Sequence, residues 1–493
     1  MKKTFHLFFV FTITQLVTFN INGQQKINSK TLFSKIDTYL TAGIENGFSG
    51  AITVLKDGDI IINKGYGFAN KTTSTLNNSN TVFDIGSNTK QFTATAILKL
   101  DELEKLKITD SLSTYFIGLP IDKQNITIHQ LLTHTAGFSE SIGSDYSSFG
   151  QLSEISEEDF FNNLFASKLL SKPGESYSYS NVGYSILGRI IELTSEQSYE
   201  AFLNEYLFKP AGMKQTGYLL PKWNSRQLSR GYNRNIIEME STVTLYQEAK
   251  GVNWHLKGNG GINSTQNDMI LWYKALKTNK ILSKESSKKF ITPFIPMNSE
   301  KTHSYSYGWI VNTSISNALR LSHSGSNGTF WHTIIWYPNK DIYIVYATNA
   351  NSSKVESIAY AVAKIIFDEN YIPTPIENNI YSYIMNYINE NPTNKSKELI
   401  SLLKKNHAAD FTNSRPLNTV GNLLLRSNEN LTWAIELFKM NVQLYPKDGN
   451  LWDSLGDGYK ANNLKEDAIK SYKKAIELGH KDSEKKLIDL TEN

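Results

Sequence analysis

Strand-like segments sit at the two ends of a long stretch of this chain, with helical patterns between them. Residues 50–56 and 60–66 are rich in branched apolar residues, and Asp57-Gly58 joins them. That dipeptide is a hairpin signal, because the favoured two-residue turn needs positive φ at its central positions. The strand pattern returns at 307–311, 319–322, 330–337 and 342–348, with Pro338-Asn339 turning the chain between the last two. A helix is expected over 89–104, mixed helices and polar loops over 110–300, and a helix over 355–367. Strands that come first and last must pair with one another or leave open edges, and their apolar faces must be covered. The expected fold class is therefore α+β: an antiparallel sheet flanked by helices, plus a helical subdomain, with a cleft between them.

At Tyr371-Ile-Pro-Thr-Pro375 the texture changes, and the chain beyond is helical and polar. Trp452-x-x-Leu455-Gly456-x-x-Tyr459 is followed by Ala468-x-x-x-Tyr472. Thirty-four residues earlier stand Ala434 and Phe438, and Pro446 closes that unit. This resembles tetratricopeptide repeats, in which each helix pair buries one face on its neighbour. The expected division is a folded domain over 25–372, a linker and connecting helix over 373–395, and an all-α repeat region over 396–493.

At the N-terminus Lys2 and Lys3 precede a mostly apolar run, 5–19, and polar residues 20–24 follow. Residues 1–24 read as an export signal cleaved near Gly23 or Gln24. The expected location is periplasmic or secreted, with no membrane span after cleavage.

Composition narrows the chemistry. The chain has 51 Lys and Arg against 47 Asp and Glu, a net charge of +4. That is too even for a nucleic-acid binder, which would carry a strong basic patch. The absence of Cys excludes a disulfide scaffold, a thiolate metal site and a Cys nucleophile. The nine His form no HExxH and no cluster with carboxylates, and no glycine-rich phosphate loop stands out. No metal and no cofactor are expected.

Ser87-Asn88-Thr89-Lys90 places a hydroxyl and an amine three residues apart, hence on one helix face. The spacing recurs at Ser286/Lys289, Ser401/Lys404, Ser471/Lys474 and Ser483/Lys486, in segments expected to be exposed. Ser87 differs because Phe92-Thr-Ala-Thr-Ala-Ile-Leu follows it, an apolar helix that would bury Lys90. A buried Lys loses its proton more readily and can activate a serine. A second element is Tyr179-Ser-Asn181, just before a long apolar helix. A third is His323-Ser-Gly325-Ser326, at the expected end of a strand, where Gly permits close backbone approach.

Ser87-x-x-Lys90, Tyr179-x-Asn181 and His323-x-Gly325, in this order, resemble the serine β-lactamase and D-alanyl-D-alanine carboxypeptidase superfamily. Leu131-Leu-Thr-His-Thr-Ala-Gly-Phe138 is similar to a signature of the branch related to AmpC-type β-lactamases. Gly260-Gly261-Ile-Asn-Ser264-Thr-x-x-Asp268 matches a loop-to-helix segment of that branch, in which Thr265 and Asp268 read as a helix cap. The resemblance covers about residues 30 to 370. It implies that Ser87 is the acylated nucleophile, Lys90 its base or relay, and Tyr179 the proton shuttle to the leaving group. Asn181 would bond the substrate amide or Lys90, and the N–H groups of Ser87 and Ser326 would form the oxyanion hole. His323 stands where many relatives carry Lys, and is charged only in part near pH 7. His134 reads as structural, tying a loop to its helix.

The expected activity is that of an exported serine hydrolase acting on D-amino-acid peptides, peptidoglycan-type amides or esters. The alternative is a catalytically silent penicillin-binding-protein-like module that recruits a partner through its repeats. Expected partners are a small-molecule or peptide substrate and a protein held by the repeats, with no nucleic acid.

Overall fold

The computed structural model describes residues 28–143, 153–313 and 317–492, so the expected signal segment lies outside the described residues. β1 (Gly50–Lys56) and β2 (Asp59–Tyr66) form the expected hairpin, and Asp57 and Gly58 hold φ at 53° and 88°. The remaining strands of this sheet are β3 (Ile295–Pro296), β4 (His303–Tyr305), β5 (Ile310–Thr313), β6 (Leu319–Ser326), β7 (Trp331–Tyr337) and β8 (Ile342–Thr348). They make one antiparallel sheet in the order β2-β1-β8-β7-β6-β5-β4-β3. The β1–β8 ladder, with Gly50 opposite Thr348, joins the two ends of the domain.

Both faces of the central strands are covered. Successive strand residues point to opposite faces. Ile342, Ile344 and Tyr346 pack with α1 (Ser29–Ile44) and α5 (Ile358–Phe367), whereas Tyr343 and Val345 pack with α2 (Thr89–Glu102) and α4 (Gln266–Lys277). This double burial explains why β8 shows no polar alternation. α2 crosses the interior beside α3 (Asn181–Ser195), and the Phe92 ring lies 4.8 Å from Trp272 and 5.0 Å from Phe208.

Several expected boundaries move. α2 stops at Glu102 rather than 104, and α5 starts at Ile358 rather than 355. The segment 307–311 is not one strand: β4 ends at Tyr305 and β5 begins at Ile310. His323 is not at a strand end, because β6 pairs with β7 as far as Ser326 opposite Trp331. Strand pairing continues there because Gly325 keeps its ladder partner His332 while freeing its other side.

Seven further helices follow: α6 (Ile380–Glu390), α7 (Ser396–Asn406), α8 (Arg415–Ser427), α9 (Leu431–Leu444), α10 (Gly449–Ala461), α11 (Lys465–Glu477) and α12 (Asp482–Glu492). From α8 onward each packs on the next, and Leu417, Phe438, Leu451 and Leu455 belong to a core separate from the sheet's. A hairpin over 231–239 reaches them. Arg234 donates to Thr419 Oγ1 at 2.7 Å, and its guanidinium lies 4.5 Å from the Tyr381 ring. Among the described residues no helix is long and apolar enough to cross a membrane.

Gly456 shows how the helices seat on one another. A Cβ there would lie 2.5 Å from Cε1 of Tyr472, a buried ring tethered by its hydroxyl to Asp457 at 2.8 Å. Gly456→Ala gains ~1 kcal/mol of helix propensity but overpacks a site where crowding costs ~1–3 kcal/mol. A net loss of ~1 kcal/mol is expected, read as a lower urea midpoint for this region.

Candidate active site

The first element is built by a short strand and a turn. Phe83-Asp84 pairs with Asn263-Ser264, and Gly86, at φ 50°, swings the chain into a single 3₁₀ turn that carries Ser87. α2 starts two residues later, so Lys90 falls in its first turn and is fully buried, while Ser87 is partly accessible. Lys90 Nζ lies 3.1 Å from Ser87 Oγ, 2.7 Å from Asn181 Oδ1 and 2.8 Å from the Asn259 carbonyl. Three acceptors match the three donors of an ammonium. In the neutral amine, the two carbonyl oxygens take both N–H groups and leave the lone pair facing Ser87.

The second element is fixed by a cap and a histidine. Ser180 caps α3 by accepting from Gly183 N–H at 3.1 Å, so Asn181 opens the helix with its side chain toward Lys90. His134, at φ 57°, brackets Tyr179: its carbonyl accepts from Ser178 N–H at 2.8 Å, and its Nδ1 accepts from Ser180 N–H at 3.1 Å. The His134 and Tyr179 ring centroids are 4.3 Å apart. Burial, with Lys90 and His323 nearby, holds His134 well below the usual histidine range. Tyr179 shares a hydrogen bond with Ser87, and burial pushes its hydroxyl well above the usual tyrosine range. It therefore keeps its proton at neutral pH.

The third element is a contact between two backbones. A Cβ on Gly325 would sit 2.2 Å from Ile85 O and 2.4 Å from Ser87 N, and one on Gly86 would sit 2.5 Å from Ser326 N. Only glycine fits at either place, and the contact puts the amides of Ser87 and Ser326 side by side.

His323 departs from the sequence expectation of partial charge. It is 4% exposed. The Ser324 carbonyl, 2.8 Å from Nδ1, can only accept, so Nδ1 carries the proton and Nε2 accepts from Tyr305 O–H at 3.1 Å. Burial first, and then Lys90, hold its pKa at about 3 against the hydrogen bond to the Ser324 carbonyl. The imidazole is neutral at pH 7 and offers no cation to a substrate carboxylate.

This burial has a consequence for stability. His323 and buried His332, which accepts from Asn88 Nδ2 at 3.0 Å, are both held at about 3 in the fold, against ~6.5 in an unfolded chain. The unfolded chain therefore takes up protons first as pH falls. Their contribution is fully present above ~6.5 and is lost as pH drops from there toward 3, by up to ~1.4 kcal/mol per pH unit each. Thermal midpoints are expected to fall between pH 7 and 4.5, with a shallower fall in His332→Gln.

The other Ser-x-x-Lys spacings lack this geometry: Ser401 is exposed as expected, but the other three fail for a different reason. Ser286, Ser471 and Ser483 are buried rather than exposed. Their lysines turn to carboxylates: Lys289 to Asp101 at 3.0 Å, Lys474 to Glu477 at 2.8 Å, and Lys486 to Asp453 and Asp457 at 2.7 Å. Thr265 does cap α4, accepting from Asp268 N–H at 3.1 Å, but the Asp268 carboxylate binds Gln215 N–H and Thr216 Oγ1 instead of completing a reciprocal cap. The sequence reading passed over Asn259, Asp84 and Asn327. Asp84-x-Gly86 and Asn327-x-Thr329 both carried a local signal, that of an Asx turn, and Asn259 carried none.

A profile of the Beta-lactamase family matches residues 36–366. Penicillin-binding protein 4* of Bacillus subtilis (strain 168) is 27% identical over 341 residues, covering 67% of this chain and 75% of that protein. The putative penicillin-binding protein PbpX of the same strain is 33% identical over 271 residues, 55% of this chain and 65% of PbpX, slightly under two thirds of its length. The solved octameric penicillin-binding protein homologue from Pyrococcus abyssi superposes with a TM-score of 0.60 at 24% identity, over 72% of this chain and 81% of that one. At that identity the likeness bears on the fold.

Proposed function

Since the chain belongs to the Beta-lactamase family, we propose that it is an exported serine hydrolase that turns over through an acyl-enzyme on Ser87. The observation that carries this reading is Lys90 Nζ, 3.1 Å from Ser87 Oγ with its remaining donors taken by Asn181 and Asn259. Ser87 Oγ attacks the carbonyl carbon and its proton passes to the Lys90 amine. The N–H groups of Ser87 and Ser326 receive the oxyanion, as fixed donors that need no reorganisation during reaction. The tetrahedral intermediate collapses, the leaving group departs with the Tyr179 proton, and Lys90 reprotonates Tyr179. Water then attacks the ester carbonyl and the same transfers run in reverse, freeing the acid.

The substrate class is an ester, or an amide of the D-amino-acid peptide kind. A neutral His323 gives no charged grip on a terminal carboxylate, which favours esters and amides that do not present one there. The region after residue 395 is taken as tetratricopeptide-like, holding a protein partner.

Intact-mass labelling of the chain without residues 1–24 tests the reading. A single fluorophosphonate adduct is expected, with a fluorescent penicillin reacting more slowly. Equal labelling by both would point to a peptidase that grips carboxylates. No adduct from the folded protein would instead support a silent binding module.

A further inference from the structure

Ser87 and Ser326 come from segments far apart in the chain. Gly86 and Gly325 let the two backbones approach, but nothing in a glycine holds them there. Asp84, 1% exposed, does so. Its Oδ1 accepts from Gly86 N–H at 2.7 Å, and its Oδ2 accepts from Asn327 Nδ2 at 2.9 Å. The Asn327 Oδ1 in turn accepts from Thr329 N–H at 3.0 Å and Phe330 N–H at 2.8 Å, which closes the turn between β6 and β7. One buried carboxylate thus grips the residue before Ser87 and the residue after Ser326. Hydrogen bonds to an ionised acceptor are roughly twice as strong as neutral ones, and a buried network of them is stiff.

We propose that Asp84 and Asn327 are a positioning pair that sets the spacing of the Ser87 and Ser326 amides, acting through Gly86 and the β6–β7 turn without touching substrate. This rests on the acyl-enzyme reading above. The role is geometric: a carboxylate close to a developing oxyanion repels it, so the charge itself lends no help to the transition state. Removing an oxyanion donor costs ~10²–10³ in rate, and a misplacement of ~1 Å costs up to ~10².

The contacts define a reciprocal test on the full chain. D84N points an amide NH₂ at the NH₂ of Asn327, and N327D sets two carboxylates face to face. In D84N/N327D each of these four hydrogen bonds has a donor and an acceptor again: the new amide keeps its oxygen for Gly86 N–H and gives its NH₂ to the new carboxylate, whose other oxygen serves Thr329 and Phe330. Three quantities are measured: the second-order rate of Ser87 labelling by a fluorophosphonate, the dissociation constant of phenylboronic acid, and the thermal midpoint. Each single variant is expected to label ~10- to 100-fold more slowly and to bind the boronate correspondingly more weakly. The double variant is expected to recover most of both. Single variants that label at the wild-type rate, or faster, overturn the proposal. So does a double variant whose thermal midpoint recovers while its labelling rate does not, since that marks a purely structural tie. If D84N folds poorly, N327D and the double variant still decide. A wild-type chain that takes no adduct on Ser87 defeats the acyl-enzyme reading itself, whereas wild-type labelling with unaffected single variants defeats the pair alone.

Discussion

Ser87→Ala is expected to remove the fluorophosphonate adduct altogether and to lower turnover of a p-nitrophenyl ester by at least ~10³-fold. The fold should survive. Ser87 is partly accessible, and its Oγ satisfies only one position on Lys90, with Asn181 Oδ1 at 2.7 Å and Asn259 O at 2.8 Å still in place. The hydrogen bonds lost to Lys90 and Tyr179 cost ~1 kcal/mol of stability each. A variant that melts near the wild type and is inert therefore reports on chemistry. Retention of a tenth or more of the wild-type rate would mean that another group is the nucleophile.

Tyr179→Phe is the second large effect, and its size should depend on the leaving group. The ring stays, packed 4.3 Å from His134 and 4.8 Å from Lys90 Nζ, so only the hydroxyl is lost. Burial keeps that hydroxyl protonated, which suits an acid that delivers a proton late. An amide must have its nitrogen protonated to leave, and kcat/KM on an amide, which reports the acylation half-reaction alone, should fall by ~10²–10⁴-fold. A p-nitrophenolate leaves without a proton, so loss on that ester should be smaller by at least ~10-fold. Equal losses on both substrates would place Tyr179 at the deprotonation of Ser87 instead.

How legible the molecule was in its sequence depended on the range of each interaction. The hairpin at Asp57-Gly58, the helix that buries Lys90 and the cap at Thr265 are short-range features, and local turn, cap and helix signals found them. The end of β6 was misplaced because His323-Ser-Gly325 reads as a strand break by composition. Its continuation depends on β7, whose His332 pairs with Gly325. The buried serines at 286, 471 and 483 were misjudged for a similar reason, since small residues in polar segments are covered only once neighbouring helices close on them.

By itself the sequence determined the fold class, because strands confined to both ends of the domain must close one sheet. Which three elements meet was implied by the resemblance of their order to a known family, and each could be picked out because it carries its motif within four residues. Tertiary structure alone decided the charge of the site. His323 is neutral because burial withdraws it from water and Lys90, on α2, lies nearby. It also decided how the site is held: Asn259 reaches Lys90, and Asp84 joins the turn at Asn327, across gaps of 169 and 243 residues. Desolvation and hydrogen bonds between distant segments set proton affinities and spacings to fractions of an ångström, and no local pattern encodes them.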